Sequence, residues 1–511
     1  MRRPVQAPIG VLRLPLFLLI WGTASLAMWL PAVHALVLDD HQTSRSFFYA
    51  GLAGVILVVL IALSMGNRVP RYSMPGQLLS LLATFAVLPL FLAVPVQDAL
   101  VDTRFLNAYF DMVSAITTTG ADIWADPGRL PPSVHLWRAI VGWLGGLLMW
   151  IAASAVLAPM SLGGFEVTAK GGPGSGAAVP IHMERADPRR QLVLVTSTLA
   201  PVYAGLTLVL WMLLIITGEE ALAGLSHAMS VMATSGISAT GGVENAASGI
   251  AGEMVMFLFM FFALSRLTFS SDTVTAGQGR LDKDPEFRTG LLIVFGVPLL
   301  LFLRHWVAAY EVDAGEDLLQ ALHALWGTLF TVMSFLSTTG FESVHWEAAR
   351  SWSGLETPGM ILLGLAVFGG GVATTAGGVK LLRVYALYLN GLREMERLVH
   401  PSSVSGEGDR TKRLQKNGAF VAWVFFMLFA LSLALISTAL AAVGNDFEQS
   451  IVLAIATLAT TGPLTESAAS EPIVLSLLTT PAKLILCIAM VLGRLETLAF
   501  IALLSPNLWR S

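Results

Sequence analysis

The sequence predicts an all-α polytopic membrane protein, and three of its properties support this fold class. Of the 511 residues, 55% are hydrophobic and only 13% are charged, whereas soluble domains carry roughly 25% charged residues. Ten apolar runs are long enough to cross a bilayer whose hydrocarbon core is about 30 Å thick. A short motif of hydroxyl residues followed by glycine occurs four times between these runs.

The ten apolar runs are predicted to be transmembrane helices. They cover residues 11–36, 47–65, 77–96, 137–160, 192–217, 250–269, 289–307, 359–389, 417–443 and 481–504. Arg2, Arg3 and Arg13 surround the start of the first run, which has no convincing small-residue cleavage site. We therefore expect this run to stay in the membrane and not to be removed as a signal peptide.

The repeated motif lies between alternate spans, and each copy ends a short helical run. The copies are Thr118-Thr119-Gly120, Thr234-Ser235-Gly236, Thr338-Thr339-Gly340 and Thr460-Thr461-Gly462. The runs before them are expected to be too short to cross the membrane, so the chain must turn back at each motif. Non-helical backbone is tolerated at that depth only where protein buries it or water contacts it, so the four turns predict a shared aqueous cavity.

The even spacing of the motifs indicates an internal repeat. Successive glycines are 116, 104 and 122 residues apart. We expect four parallel membrane-pore-membrane repeats around a pseudo-four-fold pore, plus two extra N-terminal transmembrane helices. The extra helices are assigned to residues 1–76, and the repeats to residues 77–165, 166–270, 271–395 and 396–511. Each repeat crosses the membrane an even number of times, so all four keep one orientation.

The four turns have the chemistry of a site for a monovalent cation. A ring of carbonyl oxygens backed by hydroxyl groups can replace the water shell of such an ion, and short helices would direct the negative ends of their dipoles toward it. Glycine suits the turn because a Cβ would obstruct the backbone angles that a carbonyl-lined turn needs. A single Thr-Thr-Gly is a common turn without a ligand, but four copies in matching positions indicate a filter.

A glycine-rich stretch interrupts the eighth apolar run, in the third repeat. Its residues are Gly369, Gly370, Gly371, Val372, Ala373, Thr374, Thr375, Ala376, Gly377 and Gly378. Each glycine costs a helix about 1 kcal/mol relative to alanine, so the span should break there. We expect a flexible loop that lies below the third filter and acts as a gate; a tight helix crossing through small residues is the alternative. Lys380, just beyond the loop, could extend toward the membrane interface.

Arg494 lies in the last apolar run, where an ionisable side chain is costly unless it faces a partner or water. Glu496 is two positions further on, so it points to a different helix face and is a poor partner. We expect Arg494 to project into the cation pathway beneath the filters and to limit flow. The alternative is an arginine that reaches for the interface from a helix end.

The basic residues predict the orientation of the chain. In a ten-span arrangement most Lys and Arg residues, including those at 185–190 and 410–416, fall on one side of the membrane. The positive-inside rule assigns that side to the cytoplasm, so the filters should open to the outside. The basic segments could also bind a soluble partner.

Several other functions find no support in the sequence. The formal charge of −4 is spread out and points to no nucleic-acid partner, and a single cysteine, Cys487, excludes an intrachain disulfide. Residues 171–176 lack the Lys-Ser/Thr of a phosphate loop and are expected to be a flexible linker. An intramembrane enzyme would need a nucleophile with a base, or clustered metal ligands. His227 and His323 are far apart in sequence, and each is expected to hydrogen-bond its own helix.

As a set, these motifs resemble the Trk/Ktr/HKT superfamily of potassium transporters. The resemblance rests on the four filter turns, residues 369–380 and Gly493-Arg494-Leu495-Glu496. The TrkH-like subunits of Trk-type potassium uptake systems are the most similar branch, because two extra spans precede the repeats. Three further segments are similar to that family at matching places: Trp143-Leu144-Gly145-Gly146, Ala158-Pro159-Met160 and Asp284-Pro285-Glu286-Phe287-Arg288. The resemblance covers the chain from about residue 79 to its end.

The resemblance implies potassium uptake across the bacterial inner membrane, with K⁺ as the transported ion and no cofactor in this chain. It further implies a homodimer in the lipid bilayer and a nucleotide-binding cytosolic ring protein, TrkA-like, as regulator. The ion would be held by the carbonyl groups of Thr118, Thr119, Thr234, Ser235, Thr338, Thr339, Thr460 and Thr461. Glycine at all four filter positions favours potassium, since in this family serine at the first goes with sodium. Sodium conduction, or potassium symport coupled to sodium or protons, stays open as an alternative.

Three positions depart from the family pattern. Asp111 stands where the pattern usually has glutamate, and Ala373 replaces a glycine of the gating loop. In the fourth filter, Thr461 precedes Gly462 and Pro463 where an asparagine commonly precedes the glycine.

Overall fold

The computed structural model describes residues 14–65, 74–124, 126–158, 188–265, 281, 284–308, 318–354, 358–399 and 409–496. All regular structure in these residues is helical. Some sequence predictions lie outside the described residues: the N-terminal arginines, the linker at 171–176, Arg185, Pro159 with Met160, the side chains of residues 410–416 and the last part of the tenth span.

Two extra membrane crossings begin the chain. The first consists of α1 (Leu16–Ala27) and α2 (Trp29–Val37), and the second is α3 (His41–Met65). The break between α1 and α2 falls at Met28, where Pro31 has no N–H to donate to the carbonyl of Ala27. α3 packs against both parts of the first crossing.

The rest of the described chain forms four units, each with a pore helix between two outer helical segments. The first unit contains α4 (Met74–Ala86), α5 (Leu88–Ala99), the pore helix α6 (Phe105–Ile116) and α7 (Pro132–Ala152). The second contains α8 (Pro188–Ile216), the pore helix α9 (Ala221–Ala233) and α10 (Gly249–Met260). The third contains α11 (Pro285–Ala308), the pore helix α12 (Leu318–Leu336), α13 (Trp346–Ser353), α14 (Gly359–Phe368) and α15 (Leu381–Val399). The fourth contains α16 (Asp409–Ala442), the pore helix α17 (Phe447–Leu458), α18 (Leu464–Ser467) and α19 (Thr480–Leu495).

Helix packing closes the four units into a ring. The helix after each filter packs against the pore helix of the next unit: α7 against α9, α10 against α12, α14 against α17, and α19 against α6. The last of these contacts joins the fourth unit back to the first. The units therefore surround one axis, and the predicted fold class is confirmed: an all-helical, multi-pass membrane protein.

The described residues contain fewer long spans than the ten that were predicted for the chain. Eight helices in the described residues have the length and apolar composition to cross a membrane. Seven of them coincide with predicted runs. The helices Gly249–Ala263 and Gly359–Phe368 are shorter, and the 16-residue α19 ends at Leu495. In the eighth run, the glycine stretch after Phe368 ends the helix as expected.

The pore helices were expected to be too short to cross a membrane, and this is wrong for the third. α6, α9 and α17 have 12, 13 and 12 residues, but α12 has 19. The extra length lies at its beginning, where Leu319 and Leu322 are exposed. Its end is buried beside the filter, so all four pore helices finish in the same environment.

Candidate functional site

All four predicted turns have the same unusual backbone at the same position. The residue two places before each glycine has a positive φ: 52° at Thr118, 50° at Thr234, 60° at Thr338 and 53° at Thr460. Left-handed angles are unfavourable for residues that carry a Cβ. A threonine in this state in every copy indicates that the surrounding packing imposes the turn.

Backbone hydrogen bonds set the direction of the carbonyl groups. The N–H groups of Thr119, Ser235, Thr339 and Thr461 donate to the ends of their own pore helices, at 2.8, 3.0, 2.9 and 2.8 Å. In a trans peptide the carbonyl points opposite to the N–H of the following residue. The carbonyl oxygens of Thr118, Thr234, Thr338 and Thr460 therefore point away from the pore helices.

The structure brings the four turns together. A Cβ placed on Gly120 would lie 1.8 Å from the carbonyl oxygen of Ser235, and one on Gly236 would lie 2.5 Å from that of Thr339. A Cβ on Gly340 would lie 3.0 Å from the ring of Pro463, and one on Gly462 would lie 2.1 Å from the backbone nitrogen of Ala121. Each filter glycine thus faces the next filter, in the same cyclic order as the helix packing, and a side chain would prevent this approach.

Buried hydroxyl groups surround the turns. The eight threonine and serine residues predicted to hold the ion are each at most 1% exposed. The Oγ1 atoms of Thr118 and Thr460 are buried and have no hydrogen-bond partner in the described part of the chain. Unpaired buried oxygens are rare because they cost free energy. Hydroxyl oxygens can also serve as ligands of a cation, so the residues present are compatible with the predicted ion site.

Two charged side chains behind the turns, Arg138 and Glu253, were missed by the sequence analysis. Arg138 of α7 binds Asp111 of the first pore helix and Asp122, which follows the first filter, each at 2.9 Å. An arginine within an apolar run signals an internal partner, and this signal could have found Arg138. The ion pairs attach the segment after the first filter to two helices.

The second and third filters have different supports. His227 lies within 2.8 Å of Ser238 Oγ, beyond the second filter. The expectation that it bonds its own helix is wrong, because the turn brings the following segment back onto α9. Glu253 of α10 accepts hydrogen bonds from Ser343 Oγ at 2.7 Å and Val344 N at 2.6 Å, just beyond the third filter. It also accepts one from the indole of Trp326 on α12.

The glycine-rich stretch forms a buried loop between α14 and α15. Hydrogen bonds from Val379 N to Val367 O and from Lys380 N to Phe368 O, at 2.8 and 2.9 Å, join its two ends. The side chain of Lys380 is 6% exposed and donates to the carbonyl of Ala376. Lys380 therefore does not extend to the interface. The tight helix crossing is also wrong, because the glycines leave no continuous helix there.

The loop contacts three units at the residues where the pore helices end and the filter turns begin. Thr375 Oγ1 donates to the carbonyl of Met232 in the second unit, at 3.2 Å. Gly377 N donates to Thr338 Oγ1 in the third filter at 2.8 Å. A Cβ on Gly377 would lie 2.2 Å from the carbonyl oxygen of Ala459 in the fourth unit. The loop thus lies directly against the ends of the filters opposite to their glycines.

Two further contacts hold the loop from the side. Glu286, in the segment Asp284-Pro285-Glu286-Phe287-Arg288, accepts a hydrogen bond from Val372 N at 2.9 Å. Gly371 N donates to the carbonyl of Ala263 at 2.9 Å. The loop is therefore fixed by α11 and by the segment after α10.

Arg494 faces the loop. Its side chain is buried, and Nη1 donates to the carbonyl oxygen of Thr375 at 2.7 Å. Nε and Nη2 have no hydrogen-bond partner among the described residues. This position excludes an arginine that reaches for the interface. Glu496, which follows the last residue of α19, forms an ion pair with Arg383 at 2.6 Å.

Comparisons with known proteins match this chain to one family of membrane transport proteins. The TrkH family model, described as a cation transport protein, matches residues 98–511. The chain is 30% identical over 437 residues to the Trk system potassium uptake protein TrkH of Halomonas elongata, with 84% of both chains covered. It is 28% identical over 411 residues to the protein of that name from Vibrio parahaemolyticus, with 79% of this chain and 80% of the relative covered.

A solved structure shares the fold. The crystal structure of the potassium transporter TrkH from Vibrio parahaemolyticus matches with a TM-score of 0.77 and 24% sequence identity. The match covers 98% of this chain and 99% of that one.

Proposed function

The chain belongs to the TrkH family of cation transport proteins, and from this premise we propose that it takes up potassium ions across the bacterial inner membrane. The family consists of transporters and not of enzymes. The observation that carries the proposal is the ring of four glycine turns, in which each glycine faces the next filter. The relatives named above are potassium uptake proteins, which supports the choice of ion.

Potassium would lose its water shell in this ring. The carbonyl groups of Thr118, Thr234, Thr338 and Thr460, which point away from the pore helices, would replace water oxygens. The unpaired hydroxyls of Thr118 and Thr460 would supply two further donors. The membrane potential drives entry, because one charge that crosses 100 mV gains about 2.3 kcal/mol. No phosphate-loop motif occurs in the sequence, so ATP hydrolysis by this chain is not part of the proposal.

The loop at residues 369–378 would be the gate. It lies against the filter ends opposite to the glycines and is held there by the contacts of Thr375 and Gly377. Arg494 adds a positive charge at the same place, which opposes the passage of a cation. Opening would require the loop to leave Thr338 and Arg494 to release Thr375.

The remaining parts of the proposal concern assembly and orientation. The filters would open to the outside, and the basic loops would lie in the cytoplasm. A homodimer would bind a nucleotide-binding ring protein on the cytoplasmic side, which would control the gate.

Growth and flux measurements test the function. A bacterial strain without potassium uptake systems should grow at low external potassium when it expresses this chain together with a ring partner. Proteoliposomes that contain the purified chain should take up rubidium, a potassium tracer, when a membrane potential is applied. Uptake without sodium or a proton gradient supports a uniport, whereas a requirement for either supports symport. No rubidium uptake under any of these conditions would refute the proposal.

A further inference from the structure

The fourth filter differs from the other three at its glycine. Gly120, Gly236 and Gly340 have φ values of 67°, 67° and 85°, but Gly462 does not have a positive φ. The N–H groups of Gly120 and Gly340 donate back to their own pore helices, at Ser114 and Ser334. The N–H of Gly462 donates instead to the carbonyl oxygen of Thr119 in the first filter, at 2.6 Å.

Pro463 explains this departure. A proline restricts the backbone of the residue before it, so Gly462 is limited to a narrower range of angles than the other glycines. Pro463 itself has φ −58° and ψ −14° and is the N-cap residue of α18. The chain therefore leaves the fourth filter as a helical turn, in which Thr465 N donates to the carbonyl of Gly462 at 3.0 Å.

The ring of Pro463 reaches the pore axis. A Cβ on Gly340, in the neighbouring filter, would lie 3.0 Å from Pro463 Cγ and Cδ. A Cβ on Gly236 would lie 2.8 Å from Pro463 Cγ, although the second and fourth filters stand opposite each other in the ring. One side chain can approach both a neighbouring and an opposite filter only if it extends across the centre.

The position along the axis is also defined. The gating loop contacts the filters at Thr338 and Ala459, before the glycines, and Pro463 follows its glycine. The two features therefore lie at opposite ends of the filter. Pro463 is only partly buried.

We propose that Pro463 is the external constriction of the ion pathway, which limits the entry of cations and their size. The proposal rests on the proposed function, since it treats the four turns as an ion filter. At the glycine end of the filter, the apolar side chain of Pro463 lies on the axis, and the Thr119 carbonyl already accepts a hydrogen bond from the N–H of Gly462. The outer end therefore offers fewer free oxygens than the levels below it and binds a cation weakly. An entering ion must move past the side chain of Pro463. The pyrrolidine ring fixes the backbone angle φ of this residue, so Pro463 can be displaced only if α18 moves with it.

Substitution of Pro463 tests the constriction. In proteoliposomes that contain the full chain, Pro463→Ala should raise the initial rate of rubidium uptake severalfold and raise cesium uptake by a larger factor, because cesium is the larger ion. Pro472→Ala is the matched control, since Pro472 is an exposed proline nine residues further along the segment that connects α17 to α19. It should leave both rates unchanged. Equal rubidium and cesium rates in Pro463→Ala and the parent would overturn the proposal.

A cysteine variant provides a second test if Pro463→Ala does not fold. Cys487 is the only native cysteine and is buried, so an external thiol reagent should not modify the parent. In whole cells, a quaternary ammonium methanethiosulfonate should stop uptake by Pro463→Cys and leave uptake by Pro472→Cys unchanged. Complete modification of Pro463→Cys with undiminished uptake would contradict the proposal. A parent chain that takes up no rubidium would instead refute the function as a whole.

Discussion

Replacement of Gly120 by serine should lower the preference for potassium over sodium. Gly120 has φ 67°, and a Cβ there would lie 1.8 Å from the carbonyl oxygen of Ser235, far inside van der Waals contact. Neither atom belongs to a flexible side chain, so the backbone of the first or second filter must shift. The shift changes the distances between carbonyl groups in the ring, on which discrimination between two ions of equal charge depends.

The size of the effect follows from two costs. A side chain at a left-handed position costs about 1–2 kcal/mol, and overpacking of a well-packed site costs about 1–3 kcal/mol more. Only the second cost acts on the neighbouring filter. About 1.4 kcal/mol corresponds to a tenfold change in an equilibrium constant, so the second cost limits the fall in the potassium-to-sodium permeability ratio to roughly five- to hundredfold. We expect a fall of about tenfold.

A matched control separates the two costs. Gly249 has φ 53° and no atom within 4 Å of a Cβ placed on it, so Gly249→Ser carries the backbone strain without the crowding. Relative permeabilities are measured from reversal potentials or from tracer uptake in proteoliposomes. Gly249→Ser should lower thermal stability but keep the parent's permeability ratio. An unchanged ratio in Gly120→Ser would refute the role of this close approach in selectivity.

Three further predictions concern the proposed gate, the segment after the fourth filter and the support of the third filter. Arg494→Ala should raise rubidium uptake in the absence of the ring partner, because it removes a positive charge and the hydrogen bond to the Thr375 carbonyl. Lys483→Ala, in the same helix, is the control. Equal uptake by the parent and both variants would contradict the assignment of Arg494 to the gate. Glu466 lies in α18, three residues after Pro463, and its side chain reaches solvent. The protein that surrounds it and the carboxylates of Asp122, Glu244 and Glu342 raise its pKa to about 7. Glu466 is therefore negatively charged above about pH 7 and neutral below it, and a negative charge beside the filter attracts cations. Uptake at low rubidium concentration should rise as the pH increases through about 7. A pH profile in Glu466→Gln that is the same as in the parent would contradict this. Glu253→Gln should lower both the melting temperature and ion selectivity, because the new amide NH2 cannot accept and leaves a buried donor without its acceptor, which costs about 1–3 kcal/mol. Retention of both would show that Glu253 does not position the third filter.

The sequence predicted the parts of the molecule that depend on local composition. The four turns, the break after Phe368 and the burial of Arg494 all follow from residues whose backbone or charge restricts them wherever they lie. The length of α12 was not predicted, because Leu319 and Leu322 extend the beginning of the helix, while the motif at its end is similar to the other three. Arg138 and Glu253 were missed because their partners are distant in sequence, and only the ring arrangement brings Glu253 to Val344.

The proline in the fourth filter shows a different limit. The departure that the sequence analysis identified in this filter was Thr461 before the glycine, and Pro463 was given no role, because its consequence depends on which filter stands opposite it. That relation is a property of the closed ring and not of the motif.

The three supported turns are held by unlike chemistry: ion pairs through Arg138, an imidazole at His227 and a carboxylate at Glu253. In a tetramer of identical chains, one substitution would alter all four subunits at once. Here a single codon change alters one unit directly and the others only through their contacts with it, so the pathway can be adjusted in smaller steps.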